Sequence, residues 1–146
     1  MANLKYKRYI LTEIRLPEEM QKNEATYNRW AKHLLWIDNH LIEGAPFVNT
    51  AWYFKPEPED ILATLAPHTH DFDEVVGFFG SDSQNPYDLG GEIRFFLEDE
   101  KYILKNSCLI FIPNGMKHSG EIINVEKPIF HVSLGSTVRY LKICEA

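Results

Sequence analysis

Two histidines and a glutamate lie close together near the middle of the chain, and their spacing points to metal chemistry. They are His68, His70 and Glu74. In an extended segment, side chains alternate with a period of two residues, so these even-numbered positions face the same side. Two imidazoles and a carboxylate on an enclosed face are costly to bury alone, and a metal ion removes that cost. The alternative is a surface strand whose polar side chains face water.

A fourth candidate ligand follows a turn later in the chain. Residues 109–112 form an apolar segment, and Pro113, Asn114 and Gly115 come directly after it. These residue types favour a tight turn, and the strand that follows opens with His118. A hairpin of this kind brings His118 back beside the first histidines. Three histidines and one glutamate then form a ligand set with room for exchangeable positions, as in open catalytic or binding sites.

Together, the two motifs resemble those of the cupin superfamily. The first cupin motif has the form HxHx3–4E followed by a glycine, and it is matched by His68, His70, Glu74 and Gly80. The second contains PxGxxH, which is matched by Pro113, Gly115 and His118. The resemblance covers about residues 47–135. Three positions at which the family has Gly, Gly and Asn carry Leu62, Ser107 and Ile122 here, and these positions shape turns rather than bind metal.

This resemblance implies a mostly β protein with a cupin-type double-stranded β-helix, also called a jelly-roll barrel. It implies a divalent transition metal (Fe, Mn, Ni or Zn) held by His68, His70, Glu74 and His118. The superfamily includes dioxygenases, isomerases, decarboxylases, sugar-binding regulators and storage proteins, so the fold does not specify the reaction. We expect a metal-binding cupin that binds or transforms a small organic molecule. The alternatives are a non-catalytic module that binds or senses a small molecule, and motifs retained for structure alone.

One further histidine is a candidate for a role in catalysis. His131 lies in the strand-like segment 128–134. If Phe130, Val132 and Leu134 face one layer, His131 and Ser133 face the other, which is the expected pocket. His131 would then transfer a proton or orient a substrate, and the alternative is a structural histidine. His33 and His40 have no ligand pattern and are interpreted as ordinary surface or packing residues.

The rest of the pattern predicts the elements that position these residues. Short β-branched and aromatic segments occur at 47–54, 61–66, 74–79, 93–97, 102–104, 109–112 and 129–134. Turn signals separate them every 8–12 residues or so, which is typical of a sandwich or barrel. Helix formers between Glu18 and Leu35 predict one or two helices. We therefore expect one domain over residues 1–146, with a partly helical N-terminal extension (1–45) and a β-barrel core (46–146), and an ordered loop over 80–91.

Composition limits the partners. Asp and Glu outnumber Lys and Arg by 21 to 15, which argues against nucleic acid, and no apolar run approaches the roughly 20 residues that cross a membrane. Cys108 and Cys144 fit no ligand pattern and are interpreted as reduced thiols, so a cytoplasmic location is expected. The N-terminal segment, rich in Trp, Tyr and Leu, has more apolar surface than a minimal barrel needs. Together with the cupin resemblance, it predicts a homodimer.

Overall fold

The computed structural model describes residues 4–137, and Cys144 lies outside them. Two short helices come first, α1 (Glu18–Gln21) and α2 (Glu24–Tyr27), and 3₁₀ turns cover Lys7–Tyr9 and Pro58–Ala63. Nine strands form the rest of the fold: β1 (Ala31–Ile37), β2 (Phe47–Tyr53), β3 (Leu65–His68), β4 (Glu74–Phe79), β5 (Asp88–Leu97), β6 (Glu100–Asn106), β7 (Cys108–Ile112), β8 (His118–Val125) and β9 (Ile129–Gly135).

These strands form two antiparallel sheets. One has five strands in the order β1-β2-β9-β4-β7, and the other has four in the order β3-β8-β5-β6. Apart from β1–β2 and β5–β6, neighbouring strands are not consecutive along the chain, so the chain crosses between the two layers as it does in a jelly roll. The predicted mostly β class is confirmed, and the helical part of the N-terminal segment is small.

The register of the five-stranded sheet explains which side chains enter the core. Ala51 pairs with His131, and His131 pairs on its other side with Phe78, so all three side chains point the same way. Alternate residues along β2 are buried, from Phe47 to Tyr53. The opposite sheet contributes Phe95 and other apolar side chains to the same core. The core therefore lies between the two sheets, and polar residues such as His131 are built into its inner surface.

The predicted helix between Glu18 and Leu35 is wrong over its last part. The helices end at Tyr27, and residues 31–37 form strand β1, which pairs with β2. Trp30 and Leu34 are spaced as on one helix face, which favoured a helix. In the structure, burial alternates from Ala31 to Leu34, because pairing with β2 lets one face of the segment enter the core. Tertiary pairing here outweighs local helix propensity.

Two other boundaries differ from the expectation. Much of the predicted strand 61–66 belongs to the 3₁₀ turn Pro58–Ala63, and β3 begins only at Leu65. Proline near the start of the turn sets a helical backbone angle and favours this local winding. The predicted loop over 80–91 is shorter than expected because β5 already begins at Asp88. Cys108 forms no disulfide within the described residues.

In the part of the chain from residue 4 to residue 137, no helix is long and apolar enough to span a membrane.

Gly80 provides a test of how tightly β4 and β5 are connected. A Cβ atom at this position would lie 1.8 Å from the backbone oxygen of Asp88, and the neighbouring strand cannot yield as a flexible side chain would. We expect Gly80→Ala to displace the start of β5 and to lower the free energy of unfolding by about 3 kcal/mol or more. Urea denaturation measures this change. Ser81→Ala, at an exposed position, is the control, and equal midpoints for the two variants would contradict the prediction.

Candidate metal centre

The first two candidate ligands face each other across a pair of strands. His68 at the end of β3 is paired with His118 at the start of β8. Both side chains are buried, and their ring centroids are 4.2 Å apart. Directly opposed residues on antiparallel strands point to the same face of the sheet. The backbone register therefore brings two imidazoles that are 50 positions apart in sequence into one site.

The other two candidates complete the cluster from outside this strand pair. His70 lies in the connection after β3, with its ring centroid 4.7 Å from that of His68 and 5.2 Å from that of His118. Glu74 begins β4 in the opposite sheet. Its Oε1 lies 3.3 Å from Nε2 of His118, and its Oε2 lies 3.3 Å from Nε2 of His70. All four predicted residues are thus buried together between the sheets.

The turn that precedes His118 is held by the segment that carries the first motif. Met116 N–H donates to the carbonyl of Pro113, and Gly115 takes a φ of 83°, as glycine readily does at this turn position. Gly115 N–H also donates to the carbonyl of His70 over 2.9 Å. Asn114 N–H donates to Oδ1 of Asp73 over 2.9 Å. Asp73 is exposed, and its role in anchoring this turn was not predicted.

Hydrogen bonds to the backbone decide which ring nitrogen faces the site. Nδ1 of His68 lies 2.7 Å from the carbonyl of Ala66, and Nδ1 of His118 lies 3.0 Å from the carbonyl of Met116. A carbonyl oxygen only accepts, so Nδ1 carries the hydrogen in both neutral rings and Nε2 carries the lone pair. Hydrogen bonds of this kind, from the far ring nitrogen to a backbone carbonyl, orient histidine ligands in metalloproteins.

The charge of the site matches a cation. Burial raises the pKa of Glu74, but hydrogen bonds from His118 and His70 and their charges outweigh it, so that the pKa is lowered to about 2. Glu74 is therefore an ionised carboxylate among imidazoles. Nε2 of His118 is buried and lies 3.3 Å from Oε1 of Glu74. A divalent cation bound between these two atoms would accept a lone pair from each.

The donor spacing fits a metal after a small contraction. Ligand nitrogens of His68, His70 and His118 all lie within 4.8 Å of one another. Tetrahedral ligands with bonds of about 2.1 Å lie about 3.4 Å apart, so the widest of these gaps would close by up to about 1.4 Å, shared between two rings. Three imidazoles and a carboxylate suit divalent transition metals. The residues present therefore fit the metal that the sequence motifs imply.

A cavity of about 70 Å³ adjoins the cluster. Its walls include His68, Glu74 and His118 from the candidate ligands, together with apolar side chains and two polar residues of β9. These further residues are Leu65, Val76, Phe78, Phe95, His131 and Ser133, and Ser119 of β8 also lines the cavity. The volume exceeds twice a water molecule's share of the liquid, about 30 Å³. A small ligand thus has space beside the metal position.

His131 lines this cavity and lies outside the ligand cluster. Its Nδ1 is 3.1 Å from the carbonyl of Gly77, and its ring stacks on Tyr53 at 4.9 Å and on Phe78 at 5.1 Å. Burial lowers the pKa of His131 to about 4, although the Gly77 carbonyl and the charge of Glu74 act against burial. The ring is therefore neutral near pH 7, with the hydrogen on Nδ1.

The remaining histidines are not part of the cluster. His40 is exposed, as interpreted from the sequence. His33 is buried, with Nδ1 2.7 Å from Oε1 of Glu24 and its ring stacked on Tyr27. Burial lowers the pKa of His33, and Glu24 acts in the opposite direction. This contact between His33 and Glu24 connects α2 to β1. It was not predicted, because a helix was expected over the same residues.

Comparisons with known proteins identify the architecture. No family model matches the chain, and no curated protein sequence matches it. Among solved structures, recombinant oxalate oxidase in complex with glycolate superposes with a TM-score of 0.52 at 12% identity, over 79% of this chain and 55% of that one. Oxalate oxidase has the cupin fold. This chain therefore has the cupin fold.

Two other structures resemble this chain at lower scores. KdgF from Halomonas sp. has a TM-score of 0.44 and 13% identity, over 75% of this chain and 78% of that one. The ethanolamine utilization protein EutQ from Salmonella typhimurium has a TM-score of 0.44 and 14% identity, over 75% of this chain and 69% of that one. Identities this low speak to the fold and not to the reaction.

Because the pKa of His131 is lowered, the free energy of unfolding should depend on pH. An unfolded chain takes up this proton near pH 6.5, whereas the folded protein takes it up only near pH 4. The metal-free protein should therefore lose stability as the pH falls from 7 to 5, by about 2 kcal/mol from this group. His131→Phe should flatten the pH dependence by that amount in urea titrations. His40→Ala should keep the wild-type slope, and parallel slopes for His131→Phe and wild type would refute the assignment.

Proposed function

We propose that this protein holds a divalent transition metal with His68, His70, Glu74 and His118, and that it binds or transforms a small organic molecule in the adjoining cavity. The observation that carries the proposal is the convergence of these four buried side chains beside a cavity. Two of the rings are already oriented by their own backbone carbonyls. Such preorganisation is typical of a metal site.

The metal and the side chains of the cavity would have separate roles. When bound, the metal supplies a Lewis acid that polarises a carbonyl or carboxylate oxygen. Phe78 and Phe95 provide apolar walls that exclude water from this oxygen. His131, neutral and in the same cavity, orients the ligand from another side. Oxidative cleavage, isomerisation and decarboxylation are the reactions that this arrangement accommodates.

The metal ligands can be tested by removing one that is distant in sequence. His118→Ala removes a direct metal ligand. Removing even a residue that only hydrogen-bonds to such a ligand costs roughly 10- to 100-fold in metal affinity. We expect the variant to lose most of its metal after purification without a His-tag. Elemental analysis gives metal per chain for both proteins. His40→Ala, exposed and outside the cluster, should keep the wild-type content, and equal content in His118→Ala would overturn the four-ligand site.

Catalysis can be separated from binding once the metal is known. The metal-loaded protein would be incubated with a library of small metabolites, with oxygen uptake and product formation followed by electrode and mass spectrometry. Conversion that is lost in Glu74→Gln supports an enzyme. A metabolite that binds and is recovered unchanged indicates a binding or sensing module instead.

We also propose that the protein forms a homodimer through the outer face of the five-stranded sheet. The outer face comprises the residues that alternate with the core positions on β1, β2, β9, β4 and β7. One of its rows is wholly apolar and runs across all five strands through Ile37, Val48, Leu134, Val75 and Phe111. Among the paired positions of the described strands, Lys32 is the only charged residue on this face. Depletion of charge and enrichment in aromatics are typical of the centre of an interface.

The extent of this face suits a second copy of the chain. Five strands about 4.8 Å apart and about six residues long cover roughly 500 Å². Two such faces packed together would bury about 1,000 Å², which is what a specific interface requires. Trp30 and Trp36 are buried in the protein's own core, so the aromatic residues of the N-terminal segment are not free to form an interface as expected. The outer face of the five-stranded sheet is the surface available to a second copy.

Two exposed residues on β7 allow the dimer to be broken without disturbing the core. Leu109 and Phe111 are 66% and 60% exposed. We expect the wild type to scatter light with twice the 17.0 kDa mass of one chain, and Leu109→Glu with Phe111→Glu to scatter as a monomer. The two introduced carboxylates would be buried without partners at an apolar interface, which strongly disfavours the dimer. Leu62→Glu, at a 79% exposed position off this sheet, should stay dimeric. A monomeric wild type at micromolar concentration would exclude the dimer.

A further inference from the structure

The hydrogen-bonding character of His131 constrains what the cavity can hold. Its Nδ1 hydrogen is engaged by the carbonyl of Gly77, which belongs to the sheet itself. Nε2 is then the ring nitrogen left for a ligand, and in the neutral ring it accepts but does not donate. Burial between Tyr53 and Phe78 keeps the ring neutral near pH 7. A ligand in contact with this nitrogen must therefore bring the hydrogen.

The register places His131 at some distance from the metal position. Glu74 is paired with Gly135 on β9, four residues beyond His131 on the same strand. Four residues of strand span about 13 Å between backbones, and the two side chains cover only part of this distance. Between them lies the row in which Val76 is paired with Ser133, and both residues line the cavity. A ligand that reaches from the metal to His131 must therefore be a chain of several bonds.

The walls between these two ends are mostly apolar. Val76, Phe78 and Phe95 line the space, and its volume is about 70 Å³. A narrow apolar space favours a slim, unbranched middle section without charge, because an unpaired charge is costly to bury there. The metal would bind an oxygen at one end of the ligand, and His131 would accept a hydrogen bond at the other.

We propose that His131 determines specificity, and that the ligand is a short unbranched chain with a metal-binding oxygen at one end and a hydroxyl or amide N–H donor at the other. This inference rests on the proposed metal-dependent function. A site built to hydrogen-bond a ligand hydroxyl discriminates against the analogue that lacks it, because the acceptor is then left unpaired in an apolar space. His131 is thereby assigned the recognition of the end of the ligand that is distant from the metal.

The test uses two probes that differ only in the hydroxyl group, 4-hydroxybutyrate and butyrate. Isothermal titration calorimetry is performed on the full chain loaded with its metal, and metal per chain is measured in every sample. We expect 4-hydroxybutyrate to bind about tenfold more tightly than butyrate, the effect of one hydrogen bond. In His131→Phe this ratio should fall to about one, because only the hydrogen bond to 4-hydroxybutyrate is lost. Phenylalanine keeps the stacking on Tyr53 and Phe78 but has no acceptor.

Three other outcomes would contradict the proposal. Equal binding of the two probes to the metal-loaded wild type would overturn it, and so would a preference that persists in His131→Phe or a failure of both probes to bind. His131→Gln, which keeps an amide acceptor, should retain part of the preference and serves as the deciding variant if His131→Phe does not fold. Wild-type protein without metal would overturn the proposed function itself, and elemental analysis distinguishes this result from a failure at His131.

Discussion

The pairing of His68 with His118 is the constraint on which the candidate site depends. Two short strands, β3 and β8, hold the two rings on one face of a sheet through backbone hydrogen bonds. Because side chains alternate along a strand, a shift of one residue in this register would turn one imidazole out of the site. Each ring is also bonded to the carbonyl two residues before it. The pairing of β3 with β8 therefore sets the positions of the two rings, and few further contacts are needed to hold them.

Glu74 makes the site a connection between the two sheets. It belongs to β4 in the five-stranded sheet, whereas His68 and His118 belong to the four-stranded one. A metal bound by all of them would join the layers from inside, so metal binding would also stabilise the fold. The turn before His118 adds a second connection, through Gly115 to His70 and through Asn114 to Asp73.

Much of the site could be predicted from the sequence because its residues obey a local rule. The period of two placed His68, His70 and Glu74 on one side, and burial does alternate as expected from His68 to Glu74. The turn predicted before His118 is present, but the predicted hairpin is wrong, because β7 and β8 belong to different sheets. What could not be predicted depends on partners distant in the chain. Asp73 anchors Asn114, 41 positions away. Strand β1 is a strand only because β2 is available to pair with it.

The position of β3 has a consequence for the rate at which a metal would enter and leave. This strand has four residues, lies at the edge of its sheet and pairs only with β8, with an irregular register between Leu65 and His68. Short edge strands open locally at far lower free energy than the strands of a core. Fraying of β3 would carry His68 away while β8, bonded on both sides, keeps His118 in place. Metal exchange would then proceed through a state with one ligand detached, and its kinetics would follow the opening of this one strand.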